Sequence, residues 1–200
     1  MYSTLPNFVL GFHGCDLTVY NRIIYLNERL TKSQNSYDWL GHGIYFWENN
    51  PNRAFEYAEE LKHRGKIKDV AVIGAIIDLG YCLNLMEYNS LQILKRGYKI
   101  LKEAIDKTGG KLPENKRVGS STDLLLRHLD CAVIEMVHAF NKDEGHREYD
   151  SVRGLFIEGD ELYPNAGFRE KNHIQICVRN PNCIKGYFSP LDPIEDFHIP

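Results

Sequence analysis

The 200-residue chain is 43% hydrophobic and 26% charged, and its 24 basic against 27 acidic side chains leave a formal net charge of −3. That hydrophobic content excludes a disordered chain, and the near balance of charge excludes a surface given over as a whole to nucleic acid. The longest apolar run, Val70 to Leu79, is interrupted by Asp78 and is far too short for a membrane span.

Phe8 to Cys15 reads as a first strand that ends on glycine and Asp16. A helix is expected over about Thr18 to Leu30, capped by Asp16 or Thr18, with Val19, Ile23, Leu26 and Leu30 on one face. Ser33 to Leu40 is a polar loop, and Gly43 to Trp47 a short strand. Asn50 as cap and Pro51 at the first helical position start a helix to about His63, expected to bury Ala54, Phe55, Ala58 and Leu61. Val70 to Leu79 has the β-branched pattern of a strand covered on both faces. Helices follow over about Ser90–Lys107 and Thr122–Asn141, separated by a Gly- and Pro-containing loop. Strand patterns return at Val152–Ile157, His173–Val178 and Ile184–Phe188. The loop Gly159–Asn172 is long for a structureless connection, and loops of that kind tend to be functional. The sum is an α+β protein, read as a single domain over 1–200 with no linker and no internal repeat.

Met1 is followed by neither a basic nor an apolar leader region, so no signal peptide is expected. Five cysteines (Cys15, Cys82, Cys131, Cys177 and Cys183), odd in number and without a C-x-x-C pair, read as reduced thiols of a cytoplasmic protein. Histidines and cysteines never cluster at metal-ligand spacing, so no metal is expected. A basic strip runs from Lys95 to Arg117 around Tyr98; it reads as a solvated helix face or as a track for a phosphate backbone. Arg153 reads as a structural ion pair or as a partner for a pyrophosphate.

Three segments carry candidate chemistry: Gly11-Phe12-His13-Gly14-Cys15, Leu40-Gly41-His42-Gly43-Ile44-Tyr45-Phe46, and His173-Ile174-Gln175-Ile176-Cys177-Val178. Taken singly, His13 fits a strand-end histidine, Tyr45 a core tyrosine and Tyr57 one face of an amphipathic helix. Taken in order, they resemble the diphtheria-toxin-like and poly(ADP-ribose) polymerase-like ADP-ribosyltransferases. In that family a strand ends in His-Gly, a Gly-x-Gly-Ile-Tyr-Phe strand and a helix with a second tyrosine follow, and a late strand carries the third member of a His-Tyr-Glu set. The match covers the two ends of the chain, about half its length; the stretch of about 84–145 lies outside it.

The resemblance implies a split-sheet core with a helical insertion at about 84–145, and NAD as co-substrate in a cleft between two small sheets. His13 would hold the adenosine ribose and the Gly14 backbone the carboxamide. Tyr45 and Tyr57 would grip the nicotinamide, since aromatic faces suit a flat pyridinium. At the position of the family's glutamate stands Gln175, which bonds a hydroxyl but brings no charge; the alternative carboxylates are Glu158, Asp160 and Glu161, and Glu158, at the end of its strand, reads as catalytic or else as a solvated acid. No hydroxyl residue lies between Phe46 and Tyr57, and Tyr57 falls one residue later than the family spacing. The implied activity is transfer of ADP-ribose to a protein or nucleic-acid acceptor, placed by the 159–172 loop through Tyr163, Phe168 and Arg169. A bacterial toxin or phage-defence effector is the implied setting, and an inhibitory partner is compatible with it. NAD hydrolysis, or binding of NAD or ADP-ribose without turnover, remains open beside it.

Overall fold

Asp16 ends one element and begins the next. One oxygen accepts from the backbone and hydroxyl of Thr18 at 2.9 and 2.7 Å, and the other from the Lys68 N–H at 2.8 Å. Those bonds, Thr18 foremost, hold its carboxyl far below the usual carboxylate range. The computed structural model describes residues 8–119 and 123–193. Asp16 closes β1 (Phe8–Asp16) and caps α1 (Leu17–Tyr25). That helix stops well short of Leu30, because Asn27 adopts the left-handed conformation at φ 55°. Leu30 still reaches the core, whereas Leu26 is exposed.

The remaining elements are β2 (Ile44–Glu48), α2 (Pro51–His63), β3 (Val70–Asp78), β4 (Cys82–Asn84), α3 (Tyr88–Thr108), α4 (His128–Asp143), β5 (Ser151–Phe156), β6 (His173–Val178) and β7 (Ile184–Phe188). The Asn50 cap and Pro51 start of α2 are as expected, with the Asn50 side chain accepting from Arg53 N–H at 2.9 Å. Ala54 and Ala58 are fully buried, but Phe55 is 50% exposed. The expected start of the fourth helix at Thr122 lies outside the described residues.

The protein is α+β. Seven strands form one mixed sheet in the order β4–β5–β6–β2–β1–β3–β7, with β4 parallel to β5 and the other neighbours antiparallel. β1 pairs with β3 along its whole length, from Phe8↔Asp78 to Asp16↔Val70. With β2 it pairs only at Gly11↔Glu48 and Phe12↔Trp47. In place of two separate small sheets, then, two halves meet through two residue pairs and part beyond residue 12.

Strand alternation sorts the side chains onto two faces. Under α1 lies a cluster of Cys15, Ile44, Phe46, Ile73, Ile77, Ile176 and Val178. Each fully buried Phe or Ile there contributes about 1.5–3 kcal/mol. The opposite face carries Phe12 and Trp47 beneath Ala54 of α2. Farther along it, Val152 and Cys177 lie beneath Ile134 and Val137 of α4, with Ile93 and Leu94 of α3 packed alongside. The α3–α4 pair, inserted between β4 and β5, closes tightly because Gly97 faces Val133 and Val137. No described helix is long and apolar enough to cross a membrane.

His138 on α4 is buried with neither ring nitrogen hydrogen-bonded, edge-on to Tyr149 at 5.8 Å. Desolvation lowers its pKa to about 4, and burial moves His13 and His173 in the same direction. A histidine depressed in the folded state binds its proton first in the unfolded chain. Its contribution is therefore complete above about pH 6.5 and lost as pH falls toward 4. Unfolding free energy should drop between pH 7 and pH 5, with His138 alone accounting for about 2 kcal/mol. Urea titrations at the two pH values check this; His138→Phe should remove that share of the drop.

Candidate active site

The Gly41-His42-Gly43 loop is built for close approach. Gly41 has φ +77°, and a Cβ there would collide with Glu135 and Ile134 of α4. A Cβ on Gly43 would run into the Cys177 sulfur. Glu135 accepts from the His42 N–H at 2.8 Å and is clamped by both guanidinium nitrogens of Arg179. Arg179 also donates to the His42 carbonyl at 3.0 Å. Those bonds outweigh desolvation and hold the Glu135 carboxyl below its ordinary value. Arg179→Met, leaving a half-buried carboxylate without its cation, should cost about 3 kcal/mol, measurable by chemical denaturation.

The loop in turn fixes Tyr45. Its hydroxyl donates to the Gly41 carbonyl at 2.8 Å and accepts from the Leu40 N–H at 2.9 Å. Burial pushes the phenol well up, so it stays protonated. Tyr45 therefore has its ring, not its hydroxyl, to offer a ligand. Across the gap where β1 and β2 have parted, His13 Nδ1 lies 2.8 Å from the Tyr45 carbonyl. A carbonyl only accepts, so Nδ1 carries the proton, and burial keeps the ring neutral; Nε2 is then an acceptor. Alternation puts His13 on the α1 face, tilted against Phe46 at 5.8 Å, whereas Tyr45 lies on the α2 face.

Gly14 is covered by α2, with the Ala54 carbonyl where a Cβ would stand. Its lack of a side chain serves helix packing first. Tyr57 does not meet Tyr45 ring to ring; it lies on Trp47, centroids 5.0 Å apart and planes at 44°. Burial raises its pKa as well. Trp47 is two residues beyond Tyr45 on the same face of β2, and period-two alternation from Tyr45 is the signal that points to it. Gln175 stands opposite Trp47 in the β2–β6 register and accepts from Trp39 Nε1 at 2.6 Å. Indole only donates, so the amide oxygen faces Trp39 and the NH₂ is the end left to donate. Trp39 comes from the polar loop and stands edge-on to Phe156 at 4.9 Å; Phe156 stacks on His173 at 5.5 Å. Asp38, also buried, accepts from the Asn35 N–H at 2.9 Å and acts electrostatically on both Tyr45 and Tyr57. Trp39 and Asp38 carry no local motif that would single them out.

Gly154 is the β5 residue opposite Gln175; Glu158 lies beyond the end of that strand, where its carbonyl accepts from the Lys171 N–H at 3.0 Å. Its carboxylate accepts from Arg53 Nη2 at 3.0 Å. Arg53, 6% exposed, has Glu60 and Glu56 at 3.6 and 3.7 Å and lies 5.9 Å over the Trp47 ring. Its Nε and Nη1 make no hydrogen bond, nor do the buried Trp47 Nε1, His173 Nε2 and Asn172 Oδ1. Tyr45, Tyr57 and Gln175 are thus gathered on one face, His13 approaches from the other through the gap, and Glu158 belongs to the Arg53 cluster.

The other expected residues have plain roles. Arg153 forms a bidentate pair with Glu48 at 2.5 and 2.6 Å. Cys177 and Cys183 are buried free thiols. Lys95, Arg96, Lys99 and Lys102 are exposed on α3, where Lys102 pairs with Asp106 at 2.6 Å. The 159–172 loop is held by its own backbone bonds, Leu162 to Phe168 and Glu170 to Asp160 among them, and presents Tyr163 and Phe168 to solvent. Among the described residues no group of His, Cys, Asp and Glu could hold a metal ion.

No protein-family model matches the chain, and no solved structure matches it. The chain is similar to an uncharacterized protein of Methanocaldococcus jannaschii, 28% identical over 199 aligned positions that cover 87% of this chain and 83% of that one.

Proposed function

We propose that the chain binds NAD at the opening between β1 and β2 and transfers its ADP-ribose to a macromolecular acceptor. The observation that carries the reading is the His13–Tyr45 bond. It joins two motif residues 32 positions apart across the gap between the half-sheets, and it fixes the imidazole so that Nε2 can accept from a ribose hydroxyl. Tyr45 and Tyr57 supply aromatic surface for the pyridinium, with the buried Trp47 behind Tyr57, and Gln175 has an NH₂ to donate to a ribose oxygen. In the transfer, an acceptor atom bonds to ribose C1′ as the C1′–nitrogen bond breaks. The bonding pair leaves on neutral nicotinamide, and the acceptor's proton passes to solvent. Water in the acceptor's place gives hydrolysis.

A second reading, binding of NAD or ADP-ribose without turnover, is favoured by Gln175. An amide at this position puts no negative charge beside a ribose becoming cationic. One experiment separates the two. Incubation with NAD and cell extract, followed by mass spectrometry, should show free nicotinamide and a modified macromolecule. Free ADP-ribose alone selects hydrolysis; saturable binding with no nicotinamide selects the binding module; neither binding nor release overturns both.

A further inference from the structure

Asp38, 9% exposed, is the only buried carboxylate among the described residues. A carboxylate taken out of water ordinarily has a cation beside it, because its lost hydration has to be offset. The partly covered acids elsewhere conform: Glu135 has Arg179, Glu158 has Arg53 and Glu48 has Arg153. Asp38 does not. Its oxygens accept from the Asn35 N–H at 2.9 Å and from Asn35 Nδ2 at 3.3 Å, both neutral donors, and it enters no ion pair among the described residues. The loop that carries it is tied to the candidate site on both sides. Trp39, next in the chain, donates to Gln175 at 2.6 Å, and the Leu40 N–H donates to the Tyr45 hydroxyl at 2.9 Å. The Asp38 carbonyl accepts from the Gly41 N–H at 2.8 Å, and the Gly41 carbonyl accepts in turn from the Tyr45 hydroxyl. With Tyr57 of α2 also within reach of its charge, Asp38 sets a fixed negative charge beside both tyrosines.

We infer that Asp38 is the counter-ion of the bound nicotinamide ring, so that the cleft selects the oxidised dinucleotide, whose pyridinium is positive, over the uncharged reduced form. The inference rests on the nucleotide reading above. Aromatic faces give a flat cation some preference over a neutral ring, and a carboxylate shielded from water enlarges it. The same charge acts on binding rather than on bond cleavage. As nicotinamide leaves, the bonding pair neutralises the ring and the positive charge moves to the ribose, which Gln175 faces. Asp38 therefore stabilises the bound substrate more than the transition state. That separates it from position 175, where an added charge would stand beside the ribose. A packing role alone would affect charged and neutral rings alike.

Calorimetry on the whole chain tests this with two pairs of probes that differ in ring charge: NAD against NADH, and 1-methylnicotinamide against nicotinamide. The wild-type chain should bind the charged member of each pair about tenfold more tightly. Asp38→Asn keeps the side chain's shape and an oxygen for the Asn35 N–H. It should weaken NAD about tenfold, leave NADH within about twofold, and bring the ratio near one. Equal affinity within each pair in the wild-type chain, a comparison that needs no variant to fold, would overturn the inference. So would a preference that survives in Asp38→Asn. NAD binding without charge preference removes this role of Asp38 and keeps the nucleotide reading. A preference for 1-methylnicotinamide without dinucleotide binding keeps the charge selection and removes that reading, and no binding by any probe overturns both.

Discussion

Gln175→Glu is expected to raise nicotinamide release by about two orders of magnitude. The substitution keeps the side chain's length and leaves an oxygen for Trp39 Nε1, so the 2.6 Å bond that orients the group survives. What it adds is a negative charge beside a ribose that turns cationic as the glycosidic bond breaks. Preorganised groups of this kind are worth about 10²–10³ in rate. The new carboxyl is buried between Trp39 and Trp47, and desolvation will push its own pKa up, so the gain should grow with pH as the group ionises. Glu158→Gln makes the opposite prediction. It should change the rate only a few-fold but destabilise the protein, because Arg53 loses its nearest carboxylate. Chromatographic assay of nicotinamide checks both variants. Loss of turnover in Glu158→Gln, with Gln175→Glu unchanged, would move the catalytic charge to the Arg53 cluster.

Gly14→Ala should be the most damaging single methyl group in the chain. Its Cβ would occupy the place of the Ala54 carbonyl oxygen, and a backbone atom cannot swing aside as a side chain can. Either β1 bends or α2 lifts, at a cost of about 3 kcal/mol or more. Because α2 carries Tyr57 and Arg53, any population that folds with the helix displaced loses their contacts with Trp47 as well. Gly167→Ala is the control: nothing lies within 4 Å of its added methyl, and its effect should stay within about 0.5 kcal/mol. Urea denaturation of both variants gives the comparison. Equal stability would mean that α2 does not seal against Gly14.

What the chain order reveals and what it hides follow from the range of the interactions. The start of α2 is legible because capping is local: Asn50 and Pro51 act within one helical turn. The strand at 70–78 is legible because α1 packs on one of its faces and α2 on the other, leaving an almost unbroken apolar run, although Ile76 near its end is exposed. The end of α1 is hidden, since Leu26 and Leu30 continue the apolar period while Asn27 breaks the backbone. β4, three residues long, exists through its parallel pairing with β5, a partner far away in sequence. In the site, His13, Tyr45, Tyr57 and Gln175 carry recognisable neighbours. Trp39 and Arg53 do not: their proximity depends on sheet register and on how α2 docks, while Trp47 is legible only through its alternation with Tyr45. The same long-range geometry commits Glu158 to Arg53, a pairing that its place at a strand end cannot reveal.

The central claim is that His13 and the tyrosines bind one NAD molecule across the β1–β2 opening. His13→Asn isolates it. The asparagine amide can still donate to the Tyr45 carbonyl, as Nδ1 does, but it has no counterpart of Nε2 to accept from a ribose. Calorimetric titration of NAD into the wild-type chain should give saturable one-to-one binding, and His13→Asn should weaken it about tenfold while thermal stability holds. No binding to the wild-type chain, or equal affinity in the two proteins, would contradict the account.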